Sequence, residues 1–245
     1  MKQITCTVLE NEPLAPGVFR MTLAGDTGAI TRPGQFVNIA LDGLYLRRPI
    51  SVCDWDENSL TLIYKVVGQG TGQMSKMTPG QTLDCLSGLG NGYDISACPE
   101  DPVLVGGGVG VPPLYGLAKR LLAAGKRPSA ILGFNTAGEI FYDREFAALG
   151  IPVTVTTTDG SAGVKGFVTD AMRGGEYVCA CGPEPMLKAV HAVASGGQFS
   201  FEARMGCGFG ACMGCTCKTA TGHKRICKEG PVLRYDEILW KDGKF

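Results

Sequence analysis

The stretch that decides the fold class is PVLVGGGVGVPPLYGLAKRLLAAG, residues 102–125. Its first part, PVLVGGGVG, predicts a buried apolar strand that runs into a glycine turn. Its second part, PPLYGLAKRLLAAG, predicts an amphipathic helix with Pro at its start and Gly at its end. A strand, a glycine turn and a helix in this order are typical of a parallel α/β unit, in which the turn lets a pyrophosphate approach the backbone.

The same alternation continues towards the C-terminus. Strands are predicted over SAILGF (129–134), PVTVTTTD (152–159), YVCACG (177–182) and QFSFEAR (198–204), and helices over GFVTDAMRGG (166–175) and PMLKAVHAVAS (185–195). Strands that alternate with helices predict a parallel sheet covered on both faces.

The first part of the chain has a different rhythm, in which short strands are separated by turn residues. They are ITCTVLEN (4–11), VFRMTLAG (18–25), GQFVNIAL (34–41), SVCDWD (51–56), SLTLIYKVV (59–67) and QTLDCLSG (81–88). Even spacing of this kind predicts a small antiparallel β-barrel. Within it, GTGQMSKMTPG (70–80) predicts one short helix with Thr71 at its N-terminus.

These patterns predict a multidomain α/β plus β protein. We expect a barrel over residues 1–97, a parallel-sheet α/β domain over 98–203 and a small cysteine-containing domain over 204–245. In the 245-residue chain, 23 Lys and Arg balance 23 Asp and Glu, so net charge gives no support for nucleic-acid or membrane partners. The N-terminus lacks the pattern of a secretory signal, and we expect a cytoplasmic protein.

The cysteines are crowded near the C-terminus. Cys207, Cys212 and Cys215 follow the spacing C-x4-C-x2-C, and Cys227 lies further on, which is the plant-type ferredoxin arrangement of a 2Fe-2S cluster. Small residues between them let backbone N–H groups point at the sulfurs. The alternative is structural zinc on the Cys212/Cys215 knuckle, but the chain has no second C-x2-C of the kind that a typical zinc site uses. Cys217 is expected to be a packed small residue, with its side chain directed away.

The glycine turn is a candidate nucleotide site. Its glycines are Gly106, Gly107, Gly108 and Gly110. The full G-x-G-x-x-G spacing is absent, because two prolines follow, and a tight turn without a ligand is the alternative. Two more segments, TDGS (158–161) and CGPEPM (181–186), follow predicted parallel strands, at the edge where open sheets bind ligands. They add Asp159, Cys181, Gly182 and Pro183 to the candidates.

A second candidate site lies in the barrel, where LRRPIS (46–51) ends one strand and opens the next. A guanidinium can clamp a diphosphate, and a hydroxyl can hydrogen-bond a flavin ring nitrogen; surface charge at a strand end is the alternative. The candidates are Arg48, Pro49, Ile50 and Ser51, with Ile63, Tyr64, Lys65, Gly70 and Thr71 to complete the site. For Tyr64 we expect a contribution by ring packing.

Taken in order, RRPIS, IYK, GT, GGGVGVPPL, TTDGSAG, CGPEPM and the cysteine loop ending in RICKEGPVL resemble the ferredoxin-reductase-like family. Within it, they are most similar to the electron-transfer subunits of class 1B dihydroorotate dehydrogenases. The resemblance covers nearly the whole chain. It implies that residues 48–51, 63–65 and 70–71 hold FAD, that the glycine turn and CGPEPM position NAD, and that the four cysteines hold a 2Fe-2S cluster.

The resemblance also implies a partner and a direction. The partner is an FMN-containing dihydroorotate dehydrogenase catalytic subunit, usually in a heterotetramer of two of each chain. Electrons from dihydroorotate would pass through the cluster and FAD to NAD, in pyrimidine biosynthesis. We expect NAD in preference to NADP, because GFNT (133–136) after the second parallel strand is neutral and offers no Arg for a phosphate.

Two other functions remain open at this point. One is the small subunit of an NADH-dependent ferredoxin:NADP reductase or of a sulfide dehydrogenase; the four cysteine ligands, with no carboxylate replacing one, favour the dihydroorotate interpretation. The other is a non-catalytic, zinc-stabilised interaction module, which would be colourless. We name no catalytic acid or base, which is consistent with an oxidoreductase subunit whose chemistry belongs to its cofactors.

Overall fold

The computed structural model describes residues 1–240. Its N-terminal part is a closed antiparallel barrel with the strand order β1-β2-β5-β4-β3-β6. The strands are β1 (Lys2–Ala15), β2 (Val18–Ala24), β3 (Phe36–Ile39), β4 (Arg48–Trp55), β5 (Ser59–Lys65) and β6 (Thr82–Leu89). The predicted barrel is therefore confirmed, and the predicted strands fall on the observed ones with differences at their ends.

Alternation along each strand builds the barrel core. In β3, Val37 and Ile39 are fully buried inside the barrel. Phe36 packs instead with residues of the second half of the chain, because successive side chains of a strand point to opposite faces. This strand therefore presents one face to the barrel core and the other to the rest of the protein.

Helix α1 (Gln69–Met74) is the short helix expected in the barrel, but it begins earlier than predicted. Thr71 lies in its first turn, not at the capping position, which Gly68 occupies. The Thr71 hydroxyl accepts hydrogen bonds from the backbone N–H groups of Val67 at 3.0 Å and Gly68 at 3.3 Å. The Thr71 side chain therefore stabilises the start of the helix, although it belongs to the first turn and not to the capping position.

The second half of the chain forms a seven-stranded sheet, three further helices and a small hairpin. The elements are β7 (Val103–Gly107), α2 (Val111–Ala123), β8 (Ser129–Phe134), α3 (Asp143–Ala148), β9 (Val153–Thr157), β10 (Val164–Lys165), β11 (Tyr177–Cys181), α4 (Glu184–Val193), β12 (Gly196–Ser200), β13 (Thr216–Thr219), β14 (Gly222–Arg225) and β15 (Val232–Arg234). The sheet order is β10-β9-β8-β7-β11-β12-β15, and β13 pairs with β14. All neighbours in the sheet are parallel except β12 and β15.

The sheet is covered on both faces, as predicted. Leu104 packs with Leu114 of α2 on one face, whereas the next residue, Val105, packs with Leu187 and Val190 of α4 on the other. Strands β8 to β10 lie on one side of β7, and β11 and β12 lie on its other side. The connections thus reverse direction between β7 and β11, which creates the crevice where open parallel sheets bind ligands.

The prediction of a helix over residues 166–175 is wrong. Only a single 3-10 turn, Val168–Ala171, forms there. The Asp170 carboxylate accepts the Phe167 N–H at 2.7 Å, so this side chain competes for backbone groups that a helix would use. Gly174 and Gly175 both have positive φ and end the segment. Helix α3 and the β13–β14 hairpin, by contrast, form without having been predicted.

Helix α2 joins the barrel to the sheet. A side-chain carbon at Gly116 would lie 2.6 Å from the Cys53 carbonyl oxygen of β4, so the helix backbone and the barrel are in close contact. The Arg120 guanidinium lies 3.3 Å above the Trp55 ring, and Asp54 pairs with both Arg120 and Lys119. These contacts fix the barrel against the sheet and define the crevice between them.

The proposed boundaries after residues 97 and 203 stay predictions. Strand β15, which belongs to the predicted third segment, pairs with β12 in the large sheet, and residues 241–245 of that segment lie outside the described residues. Among residues 1–240, no helix has the length and apolar character needed to cross a bilayer.

Candidate functional site

A cavity of about 780 Å³ lies between the barrel and the carboxyl ends of the parallel strands. That volume is within the usual range of ligand pockets. Residues from four parts of the chain line it: Phe36, Pro49, Ser51 and Lys65 of the barrel; Gly107, Gly108, Gly110, Asn135 and Glu139 after β7 and β8; Cys181, Gly182 and Pro183 after β11; and Phe201, Glu202, Ala203 and Met205 after β12.

The glycine turn and the loop after β11 meet at the reversal point of the sheet. A side-chain carbon at Gly110 would overlap the Cys181 carbonyl group, and one at Gly107 would lie 2.5 Å from Met186 Sδ. Close packing against backbone therefore requires glycine at Gly110, whereas at Gly107 the neighbour is the flexible Met186 side chain. Burial raises the pKa of the Cys181 thiol to about 12, so this group at the cavity wall stays protonated at neutral pH.

Two of the predicted nucleotide-site residues lie outside this cavity lining. Gly106 faces Val111 and Leu114, where it allows α2 to approach β7. The Asp159 carboxylate accepts hydrogen bonds from the Ser161 N–H at 2.9 Å and the Ser161 hydroxyl at 2.6 Å, which makes a tight turn on the surface. The structure thus brings together Gly107, Gly108, Gly110, Cys181, Gly182 and Pro183.

The cavity wall fits a polar ligand such as a nicotinamide nucleotide. Thr156, at the end of β9, lines the cavity, and its hydroxyl oxygen is fully buried without a hydrogen-bond partner in residues 1–240. Buried hydroxyl groups are normally hydrogen-bonded, so a ligand group here would complete the site. Backbone N–H groups of the glycine turn lie at the start of α2, where an anion is stabilised.

The barrel residues predicted to hold FAD divide into those on the cavity and those behind it. Pro49, Ser51 and Lys65 line the cavity, whereas the Ile50 side chain packs against the barrel core. Tyr64 is also inside the barrel, where its hydroxyl donates to Asn11 Oδ1 at 3.0 Å and burial raises its pKa.

Ile63 packs in the core between α2 and the barrel. Because the side chains of residues 63 and 64 are turned inward, any contact that these two residues make with a flavin would come from their backbone.

The remaining barrel candidates, Arg48, Gly70 and Thr71, meet at the start of α1. A side-chain carbon at Gly70 would overlap Nε of Arg48, so the Arg48 side chain lies directly on the helix backbone. Its guanidinium donates to the Leu46 carbonyl oxygen. This arrangement places a guanidinium beside the first amide N–H groups of a helix, which suits a diphosphate.

The cysteine loop has backbone N–H groups directed at sulfur. The N–H groups of Ala211 and Cys212 point at Cys207 Sγ, at 3.2 and 3.4 Å, and that of Gly214 points at Cys212 Sγ at 3.5 Å. The Cys227 N–H points in the same way at Cys215 Sγ, at 3.4 Å. Such donors stabilise thiolates and tune the potential of a cluster that they hold.

Backbone N–H contacts to sulfur join the four cysteines in two pairs, Cys207 with Cys212 and Cys215 with Cys227. Two pairs fit a cluster of two irons, each of which takes two protein sulfurs. Burial acts to raise the pKa of Cys207, but the N–H donors outweigh it and lower this pKa to about 6. Burial and the neighbouring Cys215 raise the pKa of Cys227 to about 12. At neutral pH, metal binding would therefore displace the thiol proton of Cys227, whereas Cys207 is already mostly a thiolate.

Cys217 does not belong to either pair. Its thiol contacts the Lys224 carbonyl oxygen across the β13–β14 hairpin at 3.3 Å, so its side chain is turned away from the loop, as predicted. Among residues 1–240, no group of three or more His, Cys, Asp and Glu side chains has the arrangement of a single metal-ion site.

Sequence reasoning missed several residues of this region. Phe36 and Glu202 line the cavity, and Asn38 of β3 donates a hydrogen bond to the Cys207 carbonyl oxygen at 3.1 Å. Asn38 had one local signal, since it is the polar residue within the apolar stretch GQFVNIAL. The residues from Phe201 to Met205 lead from the cavity directly into the cysteine loop.

Two family models match the chain. The model described as the iron-sulfur cluster binding domain of dihydroorotate dehydrogenase B matches residues 202–239. The model described as the oxidoreductase NAD-binding domain matches residues 104–192. The first covers the cysteine loop and the second covers the glycine turn, so they support the predicted cluster and NAD; the zinc alternative has no such support.

Relatives extend over almost the whole chain. The dihydroorotate dehydrogenase B (NAD(+)) electron transfer subunit of Geobacillus sp. (strain WCH70) is 41% identical over 256 residues, covering 98% of this chain and 99% of that protein. The subunit of the same name from Fusobacterium nucleatum is 44% identical over 257 residues, covering 97% and 99%. A chain in the structure of an NADH-dependent reduced ferredoxin-NADP oxidoreductase is 32% identical, with a TM-score of 0.87, covering 96% and 90%.

That last likeness confirms the ferredoxin-reductase-like fold, with a barrel of the kind that holds FAD. Full-length identity of this size, together with the match of the cysteine loop, identifies the family. The chain belongs to the family of dihydroorotate dehydrogenase B electron transfer subunits.

Proposed function

We propose that this chain receives electrons from an FMN-containing dihydroorotate dehydrogenase catalytic subunit and delivers them, through a 2Fe-2S cluster and FAD, to NAD in pyrimidine biosynthesis. The observation that carries this proposal is the continuity of the site. Phe201, Glu202 and Met205 line the cavity between the barrel and the sheet, and Cys207 follows at once. The cysteine loop is therefore adjacent to the cavity that the flavin and nicotinamide segments share.

In this proposal the barrel holds FAD. Arg48 and the start of α1, with Gly70 and Thr71, bind its diphosphate, and Pro49, Ile50 and Ser51 border its ring. Ile63, Tyr64 and Lys65 contribute backbone contacts and, for Lys65, a cation. Bound FAD supplies the conversion between the single-electron chemistry of the cluster and the two-electron chemistry of nicotinamide.

The sheet holds NAD against the flavin. Gly106, Gly107, Gly108 and Gly110 give the nucleotide access to backbone N–H groups, and Cys181, Gly182 and Pro183 form the facing wall. Asp159 shapes the neighbouring turn. The neutral protonated thiol of Cys181 leaves the nicotinamide pocket without an extra negative charge, and Cys207, Cys212, Cys215 and Cys227 hold the cluster.

The partner is the FMN-containing catalytic subunit, and the complex is a heterotetramer of two of each chain. The relay works in the cytoplasm, whose reducing conditions keep cysteine thiols available for a cluster. We assign FAD binding to residues 1–97, NAD binding to 98–203 and cluster binding to 204–245.

A second candidate is the small subunit of an NADH-dependent ferredoxin:NADP reductase, favoured by the structural likeness at 32% identity. We rank it below the dihydroorotate relay because the relatives named for dihydroorotate dehydrogenase B are 41% and 44% identical over at least as much of the chain.

The test is co-purification of the tagged chain with its partner, followed by an assay of NAD reduction by dihydroorotate. We expect a brown-yellow complex that contains FAD, FMN, iron and acid-labile sulfide, and that reduces NAD only when dihydroorotate is present. If the chain oxidises NADH with dyes but its partner is not an FMN-containing dihydroorotate enzyme, the result would contradict the pathway and still support the electron-transfer function. Zinc in place of iron would contradict both the pathway and the electron-transfer function.

A further inference from the structure

Asn38 is a buried side chain that links the barrel to the cysteine loop. Only 1% of the residue is exposed, and its amide nitrogen donates to the Cys207 carbonyl oxygen at 3.1 Å. The loop backbone also packs closely on this amide, since a side-chain carbon at Gly208 would overlap the Asn38 amide nitrogen. Gly208 has a φ of 80°, so the loop bends around this contact in a conformation that glycine adopts most easily.

The backbone of Asn38 is held from the opposite side. Arg47, next to the proposed flavin residue Arg48, donates to the Asn38 carbonyl oxygen at 3.3 Å and to the Asp84 carbonyl oxygen at 3.0 Å. It also pairs with the Asp84 carboxylate at 2.9 Å. Asn38 therefore cannot shift without disturbing the strands that carry it, and it forms a rigid point of attachment for the loop.

Strand β3 also gives Asn38 a direct connection to the cavity. Phe36, two residues earlier, lines the cavity on the same outward face of the strand. Two residues of strand span about 7 Å. On the neighbouring strand β4, Pro49 is in register with Asn38 and is another residue of the cavity wall. A single short strand thus runs from the cavity to the first cysteine of the loop.

The other half of the Asn38 amide is unusual. Its carbonyl oxygen is buried and has no hydrogen-bond partner within residues 1–240. A buried polar group that lacks a partner is costly, and an apolar side chain of similar size would avoid that cost. An amide at this position therefore calls for a role beyond packing, and the one side-chain hydrogen bond that Asn38 makes within residues 1–240 goes to Cys207.

We propose that Asn38 is a positioning residue that fixes the first cysteine ligand of the cluster at a set distance from the flavin cavity, and so controls electron passage between flavin and cluster. The inference rests on the proposed function, because it needs a cluster in the loop and FAD in the cavity. Electron passage between two centres weakens steeply with distance, so a small displacement of the Cys207 peptide changes its rate.

The test compares two variants of the full chain loaded with FAD and cluster. Asn38→Leu keeps the volume of the side chain and removes the donor. Gln35→Ala is the matched control: Gln35 is a buried amide three residues earlier, 6% exposed, and its hydrogen bonds go to Gly90, Thr31 and Arg32, not to the cluster loop. Stopped-flow mixing with NADH follows flavin reduction and then cluster reduction, and EPR of the reduced chain reports the cluster environment.

In Asn38→Leu we expect flavin reduction at the wild-type rate, cluster reduction slowed by about tenfold or more, and a changed EPR spectrum and midpoint potential. Loss of the cluster from this variant alone would equally support the role. In Gln35→Ala the cluster signals should match the wild type, whatever its thermal stability. Unchanged cluster reduction and EPR in Asn38→Leu, or equal changes in both variants, would overturn the inference. A wild-type chain without any 2Fe-2S signal would instead overturn the proposed function beneath it.

Discussion

Backbone N–H groups favour the thiolate form of Cys207, the first cysteine of the loop. Cys207 receives two of them, from Ala211 and Cys212, and the pKa of its thiol falls to about 6. Cys217 lies on a strand, and burial raises the pKa of its thiol. The spacing of the cysteines was enough to distinguish the predicted ligand Cys207 from the packed residue Cys217. Ligand type and loop length are local properties, which can be read from the sequence.

The first prediction concerns this difference. Cys212→Ser should lose the cluster, whereas Cys217→Ser should keep about two irons and two sulfides per chain, the content of a 2Fe-2S centre. The reason is that Cys212 lies in the loop and Cys217 bonds to Lys224 across the hairpin. Iron and acid-labile sulfide analysis of both purified variants checks it. Loss of iron from Cys217→Ser alone would contradict the assignment of ligands.

At the scale of elements, agreement between sequence and structure depends on how local the cause is. The barrel strands were predictable because turn residues separate them at even spacing, and α2 because Pro and Gly mark its ends. The segment 166–175 looked helical, but Asp170 and the paired glycines form a turn there. Phe36, Glu202 and Asn38 could not be assigned to the site from sequence, because distant elements bring them to it.

The second prediction concerns the start of α1. Gly70→Ala should weaken FAD binding by about tenfold, or about 1.4 kcal/mol, because the added carbon would overlap Arg48 Nε. Gly72→Ala is the control in the same helix, where the nearest atom would be 4.0 Å away. Both changes raise helix propensity by about 1 kcal/mol, so their difference isolates the clash. Flavin content and fluorescence titration measure it; equal affinities in the two variants would contradict the placement of FAD.

At the scale of the whole molecule, the cavity exists only because the barrel and the sheet are fixed against each other. Helix α2 makes this contact through Gly116, and through Arg120 stacked on Trp55 and paired with Asp54 at 3.6 Å. No sequence motif announces such an interface, since its residues also suit an ordinary helix surface. The barrel and the parallel sheet were predictable, but the surface that joins them was not.

The third prediction tests this interface. Arg120→Ala should lower the free energy of unfolding by about 1 to 2 kcal/mol, because a cation held over an indole ring is lost. Arg127→Ala removes a surface pair with Glu100, in which the side chains are 71% and 64% exposed, and should change stability by less than about 0.5 kcal/mol. Thermal melts followed by circular dichroism provide the comparison. Equal shifts in the two variants would mean that Arg120 does not hold the domains together.

The pairing of β12 with β15 brings the two ends of the cysteine-bearing segment together at one sheet edge. Ser200 and Val232 are direct partners in antiparallel strands, so the chain leaves the sheet and returns to it within about 5 Å. Everything between them is one long excursion from a single sheet edge, and a short hairpin turn could close the same gap. Removing this segment would leave the strand order of the nucleotide-binding sheet intact, but it would uncover the apolar surface that Phe201, Cys215 and Ile226 now cover.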